Sequence, residues 1–180
     1  MRCLLFFMSL VFITMISGCA NIPVATLFEL RSFDENAFVA LKPEDIRTKI
    51  QLDAPVEVNI DETRLSLQLE TNKGERHFTY PLILVAETKL AEEETWFSSI
   101  PARTEYELAL APDGIKAFNA VQASIQSDKP TNFAFSVNAK LKEHSMINSE
   151  VVLTILLKLT TEKEYLTLID RAAIEVTQSD

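Results

Sequence analysis

Alternation of apolar and polar residues with a period of two constrains this chain more than any other feature. Phe133, Phe135, Val137, Ala139 and Leu141 alternate with Ala134, Ser136, Asn138, Lys140 and Lys142, and Leu153, Ile155, Leu157 and Leu159 repeat the pattern. Leu65, Leu67 and Leu69 do the same against Ser66, Gln68 and Glu70. Successive side chains of a strand point to opposite faces, so such segments bury one face and wet the other. A chain built this way must set at least two dry faces against each other.

Weaker copies of the pattern fill most of the remaining length. They predict strands over 26–31, around Ile50 and Leu52, through Val56, Val58 and Ile60, and around Tyr106, Leu108 and Leu110. Asn72-Lys73-Gly74 is a hairpin turn, because glycine tolerates positive φ. The return strand runs over 77–85 with Phe78, Tyr80, Leu82 and Leu84 on one face, and Pro81 inside it implies an edge or a bulge. A last strand, or a bent pair, covers 164–176. The expected fold is mainly β: an antiparallel sandwich of about eight or nine strands.

One segment follows a different rhythm. Ile115, Phe118, Val121 and Ile125 recur at three, three and four, the spacing of one helical face. Pro112 and Asp113 suit a first helical turn, and Ser127-Asp128-Lys129-Pro130 is a stop signal. One α-helix is expected over about 112–126, with a short helical turn around 43–47.

The N-terminus differs in kind from everything after it. Residues 1–18 carry a single charge, Arg2, followed by an apolar run over 4–16. That run is too short to span a bilayer, which takes ~20 residues, and matches a secretory signal. It ends at Ile16-Ser17-Gly18-Cys19, which resembles the lipobox of bacterial lipoproteins. The resemblance implies cleavage between Gly18 and Cys19, a diacylglyceryl thioether on Cys19, and acylation of the new amino group. Ala20 at the next position is similar to the pattern of cargo sorted to the outer membrane. Two or three acyl chains hold a protein far more firmly than one, since each buried CH₂ contributes ~0.8 kcal/mol. The implied organisation is a signal peptide over 1–18, a lipidated cysteine and short tether over 19–23, and a single sandwich domain over 24–180. An extended tether of that length reaches only ~15 Å, which keeps the domain close to the bilayer.

Subtracting the signal leaves 16 basic and 26 acidic residues, a net charge of −10. That balance opposes phosphate backbones, so no nucleic-acid partner is expected. The same stretch holds two glycines, Gly74 and Gly114, and no cysteine besides Cys19. Phosphate loops, dinucleotide turns and nucleophile elbows need several glycines at fixed spacing, so these are excluded. His77 and His144 are the only histidines; His77 falls on the wet side of its strand and His144 in a loop, which suits two surface histidines better than a metal site. The acidic pairs Asp34-Glu35 and Asp61-Glu62 lack EF-hand spacing. Catalytic residues, metal ligands and cofactors are therefore none in this reading.

Glu92-Glu93-Glu94 precedes Thr95-Trp96-Phe97. The acidic run is an ordinary solvated turn; Trp96 and Phe97 on a loop are the residues singled out for a partner contact. Leu27-Phe28-Glu29-Leu30-Arg31-Ser32, ahead of 38–41, resembles the start of the outer-membrane lipoproteins of type VI secretion, also small lipidated sandwiches, but the Gly- and Pro-bearing positions of that family are absent downstream. The functional expectation is a non-enzymatic binding or assembly module, held by acylated Cys19 at the periplasmic face of the outer membrane, with an envelope protein as partner. A component of a secretion apparatus is one alternative. A carrier of an apolar ligand in a cavity lined by Leu65, Leu67, Phe133, Phe135 and Ile155 is another.

Overall fold

Each strong apolar alternation becomes a strand with one buried face. A computed structural model describes residues 33–94, 99–142 and 150–175; the strand expected over 26–31 lies outside them. Nine strands follow: β1 (Arg47–Asp53), β2 (Arg64–Thr71), β3 (Gly74–Leu90), β4 (Glu93–Glu94), β5 (Ser99–Ile100), β6 (Arg103–Leu110), β7 (Asn132–Asn138), β8 (Glu150–Lys158) and β9 (Leu166–Glu175). Among the described residues two α-helices accompany them, α1 (Glu35–Ala40) and α2 (Pro112–Asp128). All pairings are antiparallel. The architecture is the mainly β, antiparallel one that the alternation predicts.

Seven strands pair in the order β7-β2-β3-β6-β1-β8-β9, and β4 pairs with β5. The long strand β3 joins two ladders end to end. Its first half, residues 74–81, pairs with β2, and its second half, 82–90, pairs with β6 on the other side. Pro81 sits at the changeover, opposite Arg64 at the end of the β2 ladder. A residue without an N–H fits where one ladder stops and the next has not begun. Gly74 opens the strand with φ +114, the conformation that the hairpin requires of a glycine.

The dry faces of both ladders share one core. Leu65, Leu67, Leu69, Phe133 and Phe135 come from one side, and Ile50, Leu52, Leu108, Ile155 and Leu157 from the other. Across the gap the chain after β1 meets the end of β7: Val58 bridges Leu141, flanked by backbone hydrogen bonds from Asn59 to Lys140 and from Lys142 to Glu57. The alternation of Val56, Val58 and Ile60 thus yields this single bridge and then a 3₁₀ turn over Ile60–Glu62, with Val56 and Val58 buried.

Helix α2 covers the core with Gly114, Phe118, Val121 and Ile125, while Ile115 is half-buried. It runs two residues past the expected end because Lys129 takes a left-handed conformation (φ +46) and donates its N–H to the Ile125 carbonyl. Helix α1 was not expected. Asp34 Oδ1 accepts the Ala37 N–H at 2.8 Å and caps it, and Gln122 of α2 donates to the carbonyls of Phe38 and Leu41 at its far end. Phe38 then stacks between Phe118 and Phe133, with ring centroids 5.1 and 5.2 Å away. The expected turn around 43–47 is a 3₁₀ helix over Pro43–Asp45.

Candidate functional site

The second half of β3 departs from the pattern that governs the other long strands. On the face toward the core, Leu84 stands opposite Leu108 of β6. Leu108 is fully buried, yet Leu84 is 45% exposed. The β2 ladder stops at Pro81, so nothing in the first ladder extends far enough to cover residue 84 and beyond. Residues 83–89 are exposed on both faces, including Ile83 and Val85.

A register shift between Leu84 and Ala86 leaves Val85 bulged. The bulge turns Glu87 onto the Tyr106 side and Lys89 onto the Thr104 side. The uncovered face thereby changes from leucine to charge, as its contact with solvent requires. Among the described residues no strand pairs with the outer edge of 82–90, so that edge presents a row of backbone donors and acceptors to solvent.

Beside this edge lies a cleft of about 260 Å³, lined by Glu57, Val58, Ile60, Asp61, Leu84, Glu87, Tyr106 and Lys142, with Asn59 completing it. Lys142 Nζ lies 2.7 Å from Glu57 Oε2, and that contact holds the Lys142 ammonium above its ordinary pKa. Burial, and then the charge of Glu87, pushes the Tyr106 phenol up. Three carboxylates and one ammonium leave the cleft formally negative. A second cleft, of about 220 Å³, lies between α1 and the β8–β9 connection, lined by Phe33, Ala37, Leu41, Leu159 and Leu166, with Lys163 and Glu164 at hand.

Several residues singled out in the sequence lie outside the described residues: Gly18 and Cys19, His144, and the pair Trp96 and Phe97. The short ladder Glu93↔Ile100 and Glu94↔Ser99 follows β3 in the chain. His77 is solvent-facing, its side chain 64% exposed with Nε2 3.4 Å from Glu75 Oε2. Asp34 is committed to capping α1 and Glu62 accepts from Asn59 Nδ2 at 2.8 Å. Among the described residues no three His, Cys, Asp or Glu side chains form a group able to hold a metal ion, and no helix is long and apolar enough to cross a membrane. Leu65, Leu67, Phe133, Phe135 and Ile155 are packed into the core; the apolar cleft lies elsewhere.

Pro81 marks this strand in the sequence as an edge or a bulge; which of its residues stay open is decided by where β2 ends. No family model, curated protein or solved structure matches the chain.

Proposed function

We propose that this protein is a lipid-anchored, non-enzymatic binding module of the bacterial envelope, held by acylated Cys19 at the periplasmic face of the outer membrane, and that it recognises its partner along the open half of β3. The observation that carries the binding role is the exposure of 83–89 on both faces with an outer edge that no strand pairs among the described residues. Addition of a strand to such an edge is a common mode of polypeptide recognition, in which backbone hydrogen bonds supply affinity. The lipobox-like Ile16-Ser17-Gly18-Cys19 supports the anchor.

Two measurements test the two halves of this reading. Labelling cells with radioactive palmitate gives a labelled, membrane-associated protein, and Cys19→Ala abolishes the label; a label that persists in the variant ends the lipid-anchor reading. A photo-crosslinking residue placed at Ile83 captures a discrete envelope protein in living cells, whereas one at Asn119, exposed on α2, does not. Equal capture from both positions, or none from Ile83, refutes the edge as the binding surface.

The cleft between α1 and the β8–β9 connection favours a second reading, carriage of an apolar ligand. Native mass spectrometry of protein taken directly from membranes distinguishes the two: a bound lipid, lost when Leu41 and Leu166 are changed to polar residues, supports the carrier.

A further inference from the structure

The edge and the cleft beside it specify more than the presence of a partner, and the following step rests on the edge being a binding surface. We propose that the outer edge of 82–90 takes an extended segment of a basic partner polypeptide, one of whose lysine or arginine side chains enters the cleft beside Asp61 and Glu87.

Two properties of the site lead there. A strand added beside β3 directs alternate side chains to the two faces of the sheet. Those on one face continue the surface of Leu84 and Glu87 and stand over the cleft, which both residues line. Those on the other lie next to Ile83, which is 45% exposed and offers an apolar neighbour. The cleft itself is built for a long cationic side chain. Ile60 and Leu84 offer apolar surface to a methylene stem, and Asp61 and Glu87 line the place where its charged end arrives, Glu57 being paired with Lys142.

The same charges argue against a second copy of this chain as the occupant. The body carries net −10, and edge-to-edge pairing of two copies would bring two negative clefts together. The bulge at Val85 and the charge of Lys89 are further devices that discourage indiscriminate pairing. A basic segment meets a cleft of opposite net sign, where a like copy meets a second negative cleft.

The test uses the full chain purified in detergent and synthetic peptides long enough to span 82–90, alternating valine and threonine. One carries a lysine at its centre, a second a glutamate there, and a third the lysine with an N-methylated backbone. Hydrogen exchange and titration calorimetry read the binding. The lysine peptide binds and protects 82–90 from exchange, the glutamate peptide binds roughly tenfold more weakly, and the N-methylated peptide does not bind. Glu87→Lys reverses the preference between lysine and glutamate, and Asp61→Asn weakens it, giving two exposed substitutions that leave the core untouched. Equal protection by the lysine and glutamate peptides overturns the basic partner while leaving the edge as a binding surface. Binding of the N-methylated peptide, or absence of protection at 82–90 from every peptide, overturns strand addition altogether.

Discussion

Gly114 stands so close to Pro81 that a Cβ built on it would lie 2.9 Å from the Pro81 carbonyl oxygen. The same oxygen accepts the Ala111 N–H at 2.9 Å. The first turn of α2 is thus pressed against the residue at which β3 passes from one ladder to the other. Alanine at 114 gains helix propensity worth ~1 kcal/mol but must displace backbone on both elements. Gly114→Ala is expected to destabilise the fold by about 1–3 kcal/mol net, measured by urea denaturation.

Thr48 is fully buried in β1, between Leu108 of β6 and Leu157 of β8, and its hydroxyl has no hydrogen-bond partner among the described residues. Valine has nearly the same shape and no polar atom to desolvate. Thr48→Val is expected to stabilise the protein by about 1 kcal/mol, seen as a higher denaturation midpoint with an unchanged slope.

Lys129 ends α2 with φ +46, a conformation that costs an L residue with a Cβ roughly 1 kcal/mol. Glycine removes that cost and keeps the backbone hydrogen bond to Ile125, at the expense of a more flexible unfolded chain. Lys129→Gly is expected to raise the melting temperature slightly, by some tenths of a kcal/mol in stability; Lys129→Val is expected to lower it. Scanning calorimetry of the pair checks the sign.

Glu105, on the outer sheet face, contributes to the pH dependence of stability. Burial alone would raise its carboxyl, but Lys49 Nζ and Gln51 Nε2, each 2.7 Å away, outweigh burial and hold it below the ordinary value. A carboxyl whose folded pKa is depressed contributes stability above its unfolded pKa and loses it as pH falls through the folded one. Lys49→Met is expected to cost about 1 kcal/mol at pH 7, since the pair is only partly buried. The difference from the parent protein closes as pH falls through the carboxylate range. Stability measured against pH for both proteins checks it; a constant difference at all pH values would point to lost packing instead.

Much of the fold was legible because its strands are amphipathic. The alternating burial of β7 is written in Phe133, Phe135 and Val137, and the turn before β3 in Gly74. Helix α2 was legible for the corresponding reason, three- and four-residue spacing. Helix α1 was not, because six residues with one buried side chain, Phe38, leave no period to count. Its cap, Asp34, is the local signal that identifies it. The end of β3 was read five residues short, since the Val85 bulge shifts the alternation and mimics a strand end.

The candidate site was legible only in its ingredients. Leu84 reads in the sequence as one more core residue in line with Phe78, Tyr80 and Leu82. Its exposure depends on where β2 stops, and therefore on the pairing of Arg64 with Pro81. The cleft joins residues from four separate stretches, 57–61, 84–87, 106 and 142, none of which carries a motif by itself.

Sequence by itself determined the antiparallel, mainly β character of this chain, the long helix α2 and its acidic charge. These follow from the direction in which neighbouring side chains point and from counting charges, and both are local properties. Tertiary structure decided which apolar face is covered and which is left open. Coverage depends on the relative lengths of paired strands: β3 runs nine residues beyond its hairpin partner β2, and on that uncovered length a leucine like any other became surface.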